Sequence, residues 1–219
     1  MSSRIFESVS DLPGVFPVFP LAGTLLFPRS ILPLNIFEPR YLNMIDDAMA
    51  GDAVIGMIQS LGEGPKSHPD IAGVGCLGRI SSYSETEDGR YLIALEGVCR
   101  FSVAQELPFE KPYREVEASW SHYAHDLEPA EDAGSASRER LLTALTDYLA
   151  RNRLQADWNA AENAPMEGLV NSLCAACPFS LMEKQALLES VDLAARSEAL
   201  ITLLEMDIKG QGGSATWLQ

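Results

Sequence analysis

Proline governs what the start of this chain can become. Pro17, Pro20, Pro28 and Pro33 punctuate two short apolar segments, residues 15–19 and 31–36. Proline has no N–H to give to a ladder, so strands that carry it are expected at sheet edges or bends. Pro39 obeys a different rule. It follows Glu38 in Glu38-Pro39-Arg40-Tyr41, and the first turn of a helix does not need the N–H that proline lacks. Tyr41, Leu42, Ile45 and Met49 then recur at helical spacing and Gly51 marks a stop, which predicts a helix over residues 38–50.

The rest of the first half reads as strand. Residues 54–59 are almost wholly apolar, as in a strand buried on both faces. Residues 62–70 form a loop. Val74, Cys76 and Ile80 alternate among Gly73, Gly75 and Gly78, a glycine density that implies a bent strand or close backbone approach. Residues 85–89 end in the Asp-Gly signal of a hairpin. In the next strand Tyr91, Ile93, Leu95, Cys99, Phe101 and Val103 share one parity, and Glu96, Arg100 and Ser102 the other, so it is expected to be half-buried and antiparallel. Residues 113–120 form a last strand.

Residues 126–135 are acidic, with Pro and Gly, and read as a linker; beyond them the pattern is helical. Leu141, Leu142, Leu145, Tyr148 and Leu149 make one apolar stripe. Met166, Leu169, Val170, Leu173, Cys174 and Cys177 make another, behind Pro165. Ser180-Leu181-Met182-Glu183 is a capping box, and Leu193, Leu200, Ile201, Leu204 and Ile208 line a last helix. The expected organisation is a β domain over residues 10–124, a linker over 125–135, a helical domain over 136–209 and a tail over 210–219.

The 219 residues carry a net charge of −15, of which −7 falls in residues 1–122 and −8 in residues 123–219. A field so evenly acidic repels phosphate backbones and anionic lipid, so neither nucleic acid nor membrane is an expected partner. No apolar run approaches the roughly 20 residues of a membrane helix, and residues 1–7 lack the apolar core of a signal peptide. The expectation is a cytoplasmic protein whose four cysteines stay reduced.

Candidate chemistry is sparse. Cys174-Ala175-Ala176-Cys177 has redox spacing, but both cysteines fall on an apolar stripe near a helix C-terminus, where core packing is the simpler role. A zinc site would need two more ligands. His122 and His125 read as a solvated loop pair, and His68 lies in a loop. No nucleophile, base and orienting acid follow one another, so no catalytic residue, metal or cofactor is assigned.

Taken in order, these pieces resemble the N-terminal substrate-binding domain of the Lon family of ATP-dependent proteases. The resemblance rests on the proline-punctuated opening through Ile36-Phe37-Glu38-Pro39-Arg40-Tyr41 and on Gly75-Cys76-Leu77-Gly78-Arg79-Ile80, which matches a Gly-x-x-Gly-x-Ile strand. Leu95-Glu96-Gly97-Val98-Cys99-Arg100-Phe101 matches a Leu-x-Gly-x-x-Arg-Phe segment. Residues 169–178 and 183–189 extend the likeness, which covers nearly all of residues 13–208. It implies an α+β fold, a small PUA-like β-barrel followed by a C-terminal helical bundle. Residues 62–67 end in Lys-Ser but lack Walker A spacing, and Pro65 removes a donor from any phosphate nest. The chain has no room for the family's ATPase and Ser–Lys protease domains, so the resemblance implies a stand-alone module of bacterial type that recognises polypeptides without cleaving them.

The implied partners are unfolded or partly folded polypeptides and a separate ATP-dependent protease, with capture on the barrel or at a barrel–bundle cleft. Phe16, Phe19, Phe27, Phe37 and Tyr41 are candidates for an exposed apolar surface, with core packing as their competing role. Phe37, Glu38, Arg40, Tyr41, Arg79 and Arg100 are the candidate polypeptide-binding residues. Glu38 and Arg40 are alternatively structural, at the helix start, and Arg79 and Arg100 need a partner or solvent wherever they fall. Three other readings stay open: an adaptor for one folded partner, a PUA-like module for a small ligand or RNA, and a redox protein using Cys174 and Cys177.

Overall fold

The computed structural model describes residues 6–62, 69–128, 135–155 and 157–208. The Walker-like stretch beyond Gly62, His68, most of the acidic linker, the tail with Trp217 and Leu218, and the side chain of Ile208 lie outside the described residues. The chain divides into two compact units, Met1–Pro129 and Ala130–Gln219.

Among the described residues the first unit has six strands: β1 (Val15–Pro20), β2 (Ile31–Ile36), β3 (Val54–Ser60), β4 (Ile71–Glu85), β5 (Tyr91–Glu106) and β6 (Arg114–Ser119). They lie in the order β2-β5-β4-β3-β1-β6, and β5 pairs again with β6. The second pairing closes β5, β4, β3, β1 and β6 into a barrel and leaves β2 appended to β5 as an edge strand. Among the described strand pairs, β1 with β3 is the one that runs parallel. β5 meets β2 with its first half and β6 with its second, and register shifts in its pairing with β4 mark where the sheet bends.

The prolines fall where their missing donors cost least, though not all where expected. β1 is not an edge: it lies between β3 and β6. Ala118 N donates to Gly14 O and Leu21 N to Ile58 O, so even-numbered residues of β1 face β6 and odd-numbered ones face β3. Pro17 thus faces β3 just before the first register pair, Val18–Gly56. Pro20 faces β6 beyond the last, Val18–Arg114. Pro28 sits in the bend where Ser30 N returns to Phe27 O, and Pro33 lies on the true edge strand.

Helix α1 (Pro39–Ala50) starts at Pro39 as expected and ends at Gly51, whose N–H donates to Ala48 O. Its buried face is Tyr41, Met44, Ile45 and Ala48, with Leu42 and Met49 at the margin, so the buried stripe is rotated from the one read in the sequence. It packs on a cluster containing Phe19, Ile36, Ile55, Met57, Ile93 and Leu95. A second cluster gathers Phe16, Val18, Ile58, Leu77, Cys99, Phe101, Val116 and Trp120. β3 supplies both from opposite faces, as its unbroken apolar run implies.

Two glycines of β4 and β5 show the close approach their density implies. A Cβ on Gly75 would lie 2.5 Å from Met57 O, and one on Gly97 would lie 1.9 Å from Phe27 O. Gly73 departs from the expectation, since a Cβ there would have nothing within 4 Å.

The second unit comprises α2 (Ser135–Asn152), α3 (Trp158–Asn163), α4 (Met166–Ala176), α5 (Leu181–Glu189) and α6 (Leu193–Ile208). α2 packs along α6, burying Leu141, Ala144, Leu145 and Tyr148 from the former and Leu200, Ile201 and Leu204 from the latter. The capping box forms: Glu183 N donates to Ser180 Oγ and Ser180 N to Glu183 Oε2. One polar link inside this unit had no sequence signal. Buried Arg196 donates to Asn171 Oδ1 at 2.9 Å and to Leu187 O at 3.2 Å, joining α6 to α4 and α5.

Candidate functional site

Among the described strands of the first unit, β2 carries the most exposed large apolar side chain, that of Ile31. Gly97 N donates to Ser30 O, which sets the phase of the β2–β5 ladder. In an antiparallel pair only alternate residues exchange hydrogen bonds. Leu32, Leu34 and Ile36 therefore bond to β5, while the main-chain groups of Ile31, Pro33 and Asn35 turn away from it. Among the described residues no strand lies on that side. Pro33 stands where its missing N–H is absent from the open edge and not from the ladder.

The side chains alternate in the same rhythm. Leu32, Leu34 and Ile36 pack toward the α1 cluster. Ile31, Pro33 and Asn35 are exposed on the other face, Ile31 at 59%. Phe37, just past the strand, is 62% exposed, and Leu92, opposite Asn35 on β5, is 45% exposed. Large apolar side chains left this open along one face cost solubility unless they are used.

Ion pairs border these side chains. Arg40 Nη2 holds Glu38 Oε2 at 2.8 Å beyond Phe37, and Arg90 Nε holds Asp88 Oδ2 at 2.8 Å beyond Tyr91. Arg79 pairs with Glu96, which is in register with Ile31 at the far end. Exposed apolar side chains bordered by paired charges are a composition that recognition surfaces share.

The structure thus brings four of the six sequence candidates to the two ends of one strand: Phe37, Glu38 and Arg40 at one, Arg79 at the other. Glu38 does not cap α1 with its carboxylate, which instead accepts from Arg40 Nε at 2.9 Å. Tyr41 and Arg100 need correction. The Tyr41 ring packs 4.3 Å from Phe19 and is buried, with Arg40 stacked on its face at 4.5 Å. Burial, more than any neighbouring charge, raises its phenol pKa. Arg100 is 1% exposed and bound to Asp126, so it presents nothing to a visitor. Phe16, Phe19 and Phe27 are also core residues.

Asp126 is the main residue that sequence reasoning misplaced. Read as linker, it lies in a short 3-10 turn, Ala124–Leu127, that packs against β5 at Arg100. Its carboxylate accepts from Arg100 N at 3.0 Å, Nε at 2.8 Å and Nη2 at 2.7 Å. Arg100 also stacks on Tyr123 at 4.3 Å. This cover buries both faces of β5 at Cys99, Arg100 and Phe101, whereas Ala104 and Gln105 beyond them are exposed.

The cysteines behave as packing residues. Cys174 ends the buried stripe of α4 and Cys177 is its C-cap. Burial pushes the Cys174 thiol up to about 12 and the Cys177 thiol up to about 11. Thiols held protonated at neutral pH are poor nucleophiles. Alkylation by iodoacetamide at pH 7.5 is expected to be at least about tenfold slower in the native protein than in urea. Equal rates in the two states, followed by mass spectrometry, would return the redox reading.

Comparison with known proteins agrees with this architecture. The family model for the ATP-dependent protease La (LON) substrate-binding domain matches residues 15–206, and the chain belongs to that family. Among curated relatives, Lon protease 2 of Myxococcus xanthus is 28% identical over 197 residues, 89% of this chain and 24% of the relative. Lon protease of Anaeromyxobacter dehalogenans is 26% identical over 207 residues, 93% and 24% of the two chains. The chain therefore spans about a quarter of the length of the relatives it matches. The crystal structure of a Lon N-terminal domain protein from Xanthomonas campestris superposes with a TM-score of 0.61 at 22% identity, covering 86% of this chain and 97% of that one. The N-terminal domain of the Mycobacterium avium complex Lon protease gives 0.61 at 16%, covering 87% and 98%. These likenesses establish the α+β fold. Among the described residues, no helix is long and apolar enough to cross a membrane.

Proposed function

We propose that this chain is a polypeptide-recognition module. It holds unfolded or partly folded segments on the β2 surface by burying apolar side chains, without nucleotide and without cleaving them. A separate ATP-dependent protease is the natural recipient of such clients. The observation that carries the reading is the set of exposed apolar side chains on one face, Ile31 on the edge strand, Phe37 just beyond it and Leu92 on its neighbour β5, bordered by ion pairs. The net charge of −15 keeps such a surface in solution and favours clients that are not themselves acidic.

The test is a fluorescence-anisotropy titration of labelled, reduced and carboxamidomethylated lysozyme, a permanently unfolded and basic chain. Saturable binding with a Kd on the order of micromolar is expected, and it should persist through 0.5 M salt because apolar burial does not screen. Phe37→Ser and Ile31→Ser should each raise Kd about tenfold, the equivalent of losing roughly half to all of one buried side chain's transfer free energy. Absence of binding at high protein concentration, or binding that vanishes with salt, removes this reading. A single stoichiometric folded partner would then be sought.

A further inference from the structure

The β2 edge is open in a way that identifies the geometry of its guest. Along six residues, the side facing away from β5 offers the N–H groups of Ile31 and Asn35 and the C=O groups of Ile31, Pro33 and Asn35. Groups in this alternation, one strand spacing apart, match an extended backbone and not a helix or a folded surface. Resting on the recognition reading above, we infer that the client binds by strand addition, as an extended polypeptide segment hydrogen-bonded to the free edge of β2.

Three features of the strand select the occupant. Its side chains on one face, Ile31, Pro33 and the following Phe37, are apolar and exposed. A guest strand laid beside them places alternate side chains against that stripe, so alternate apolar residues are favoured. Pro33 removes the central donor of the edge. The guest therefore receives two hydrogen bonds and donates three, and the carbonyl of its residue opposite Pro33 finds no donor on the edge. The charge of −15 sets the third condition. Two copies of this chain joined edge to edge would bring like charges together, whereas a neutral or basic segment is attracted. The same broken donor row explains how an apolar edge avoids pairing with itself in the free protein.

Asn35→Pro isolates the main-chain contribution. The Asn35 N–H lies outside the β2–β5 ladder, and Pro33 shows that this strand accepts proline at a residue of the same phase. The variant should keep the slow hydrogen exchange of the Leu32 and Leu34 amides, which confirms the ladder, and should bind carboxamidomethylated lysozyme at least tenfold more weakly. In wild-type protein, the Ile31 and Asn35 amides should exchange more slowly in the complex than alone, resolved residue by residue by NMR. If lysozyme binds, Phe37→Ser weakens it, and yet the Ile31 and Asn35 amides are unchanged, strand addition is overturned while the recognition reading stands. Failure of wild-type protein to bind lysozyme overturns both. Protection of these two amides in the free protein, together with a dimer in sedimentation, assigns the edge to a second copy and overturns the proposal.

Discussion

Asp126→Ala is expected to destabilise the first unit by about 3–5 kcal/mol, a large part of the roughly 5–15 kcal/mol that holds an ordinary domain folded. The cost lies in what is left behind. Arg100 is 1% exposed and Asp126 5% exposed, and the carboxylate takes three of the arginine's donors, one of them the main-chain N–H. Removing the carboxylate strands a permanently charged guanidinium against β5 under Tyr123. Breaking a buried pair from one side costs far more than the pair contributes as a whole. Replacing both partners with apolar residues, Arg100→Met with Asp126→Leu, is therefore expected to recover most of the loss. Because the two units need not unfold together, hydrogen exchange of the β5 amides is a better measure than a single urea midpoint. An Asp126→Ala protein whose β5 amides exchange within about 1 kcal/mol of wild type would show that water, not Asp126, satisfies Arg100.

Much of this fold was legible because local rules and tertiary packing agree. The Glu-Pro-Arg-Tyr helix start, the all-apolar β3, the Asp-Gly hairpin and the Ser180–Glu183 capping box each state a local preference that the fold adopts. The misplacement of Arg100 and Asp126 has one cause: a segment remote in sequence covers what local pattern leaves open. Alternation in β5 placed Arg100 on a solvent face, but the turn at Ala124–Leu127 lies over that face. The same acidic residue that signals a linker in composition is the counter-ion of a core arginine, and nothing in its immediate neighbours distinguishes the two. Proline marked β2 correctly as an edge and misassigned β1, because the rule concerns ladder ends as much as sheet edges. The candidate site was half legible. Phe37, Glu38, Arg40 and Arg79 were singled out, but Ile31 and Leu92 were missed. A strand with apolar residues on both parities, such as Ile31-Leu32-Pro33-Leu34, would have pointed to them once Pro33 had placed it at an edge.

Gly97→Ala should have the largest effect of any single methyl group added to the first unit. The new Cβ would lie 1.9 Å from Phe27 O, 2.7 Å from Phe27 C and 3.2 Å from Pro28 Cα, all of them main-chain atoms. A flexible side chain could swing aside, but this bend cannot. Gly97 receives Arg29 N on its carbonyl and gives its own N–H to Ser30 O, so the crossing segment is tied to β5 at the point of contact. Ordinary overpacking costs about 1–3 kcal/mol when side chains absorb it. Here the backbone must move, and a loss above that range is expected. Gly73→Ala is the matched control, since its Cβ meets nothing within 4 Å. It should change stability by no more than roughly half a kcal/mol. The consequence reaches function, because residues 27–30 lead directly into β2 and set the ladder phase that leaves Ile31 and Asn35 facing outward. A Gly97→Ala protein that still folds should therefore lose polypeptide binding along with the protection of its Leu32 amide, whereas Gly73→Ala retains both. Equal stability of the two variants would mean that the bend over β5 is loose in solution, and the phase of the β2 edge would have to be derived again from exchange data.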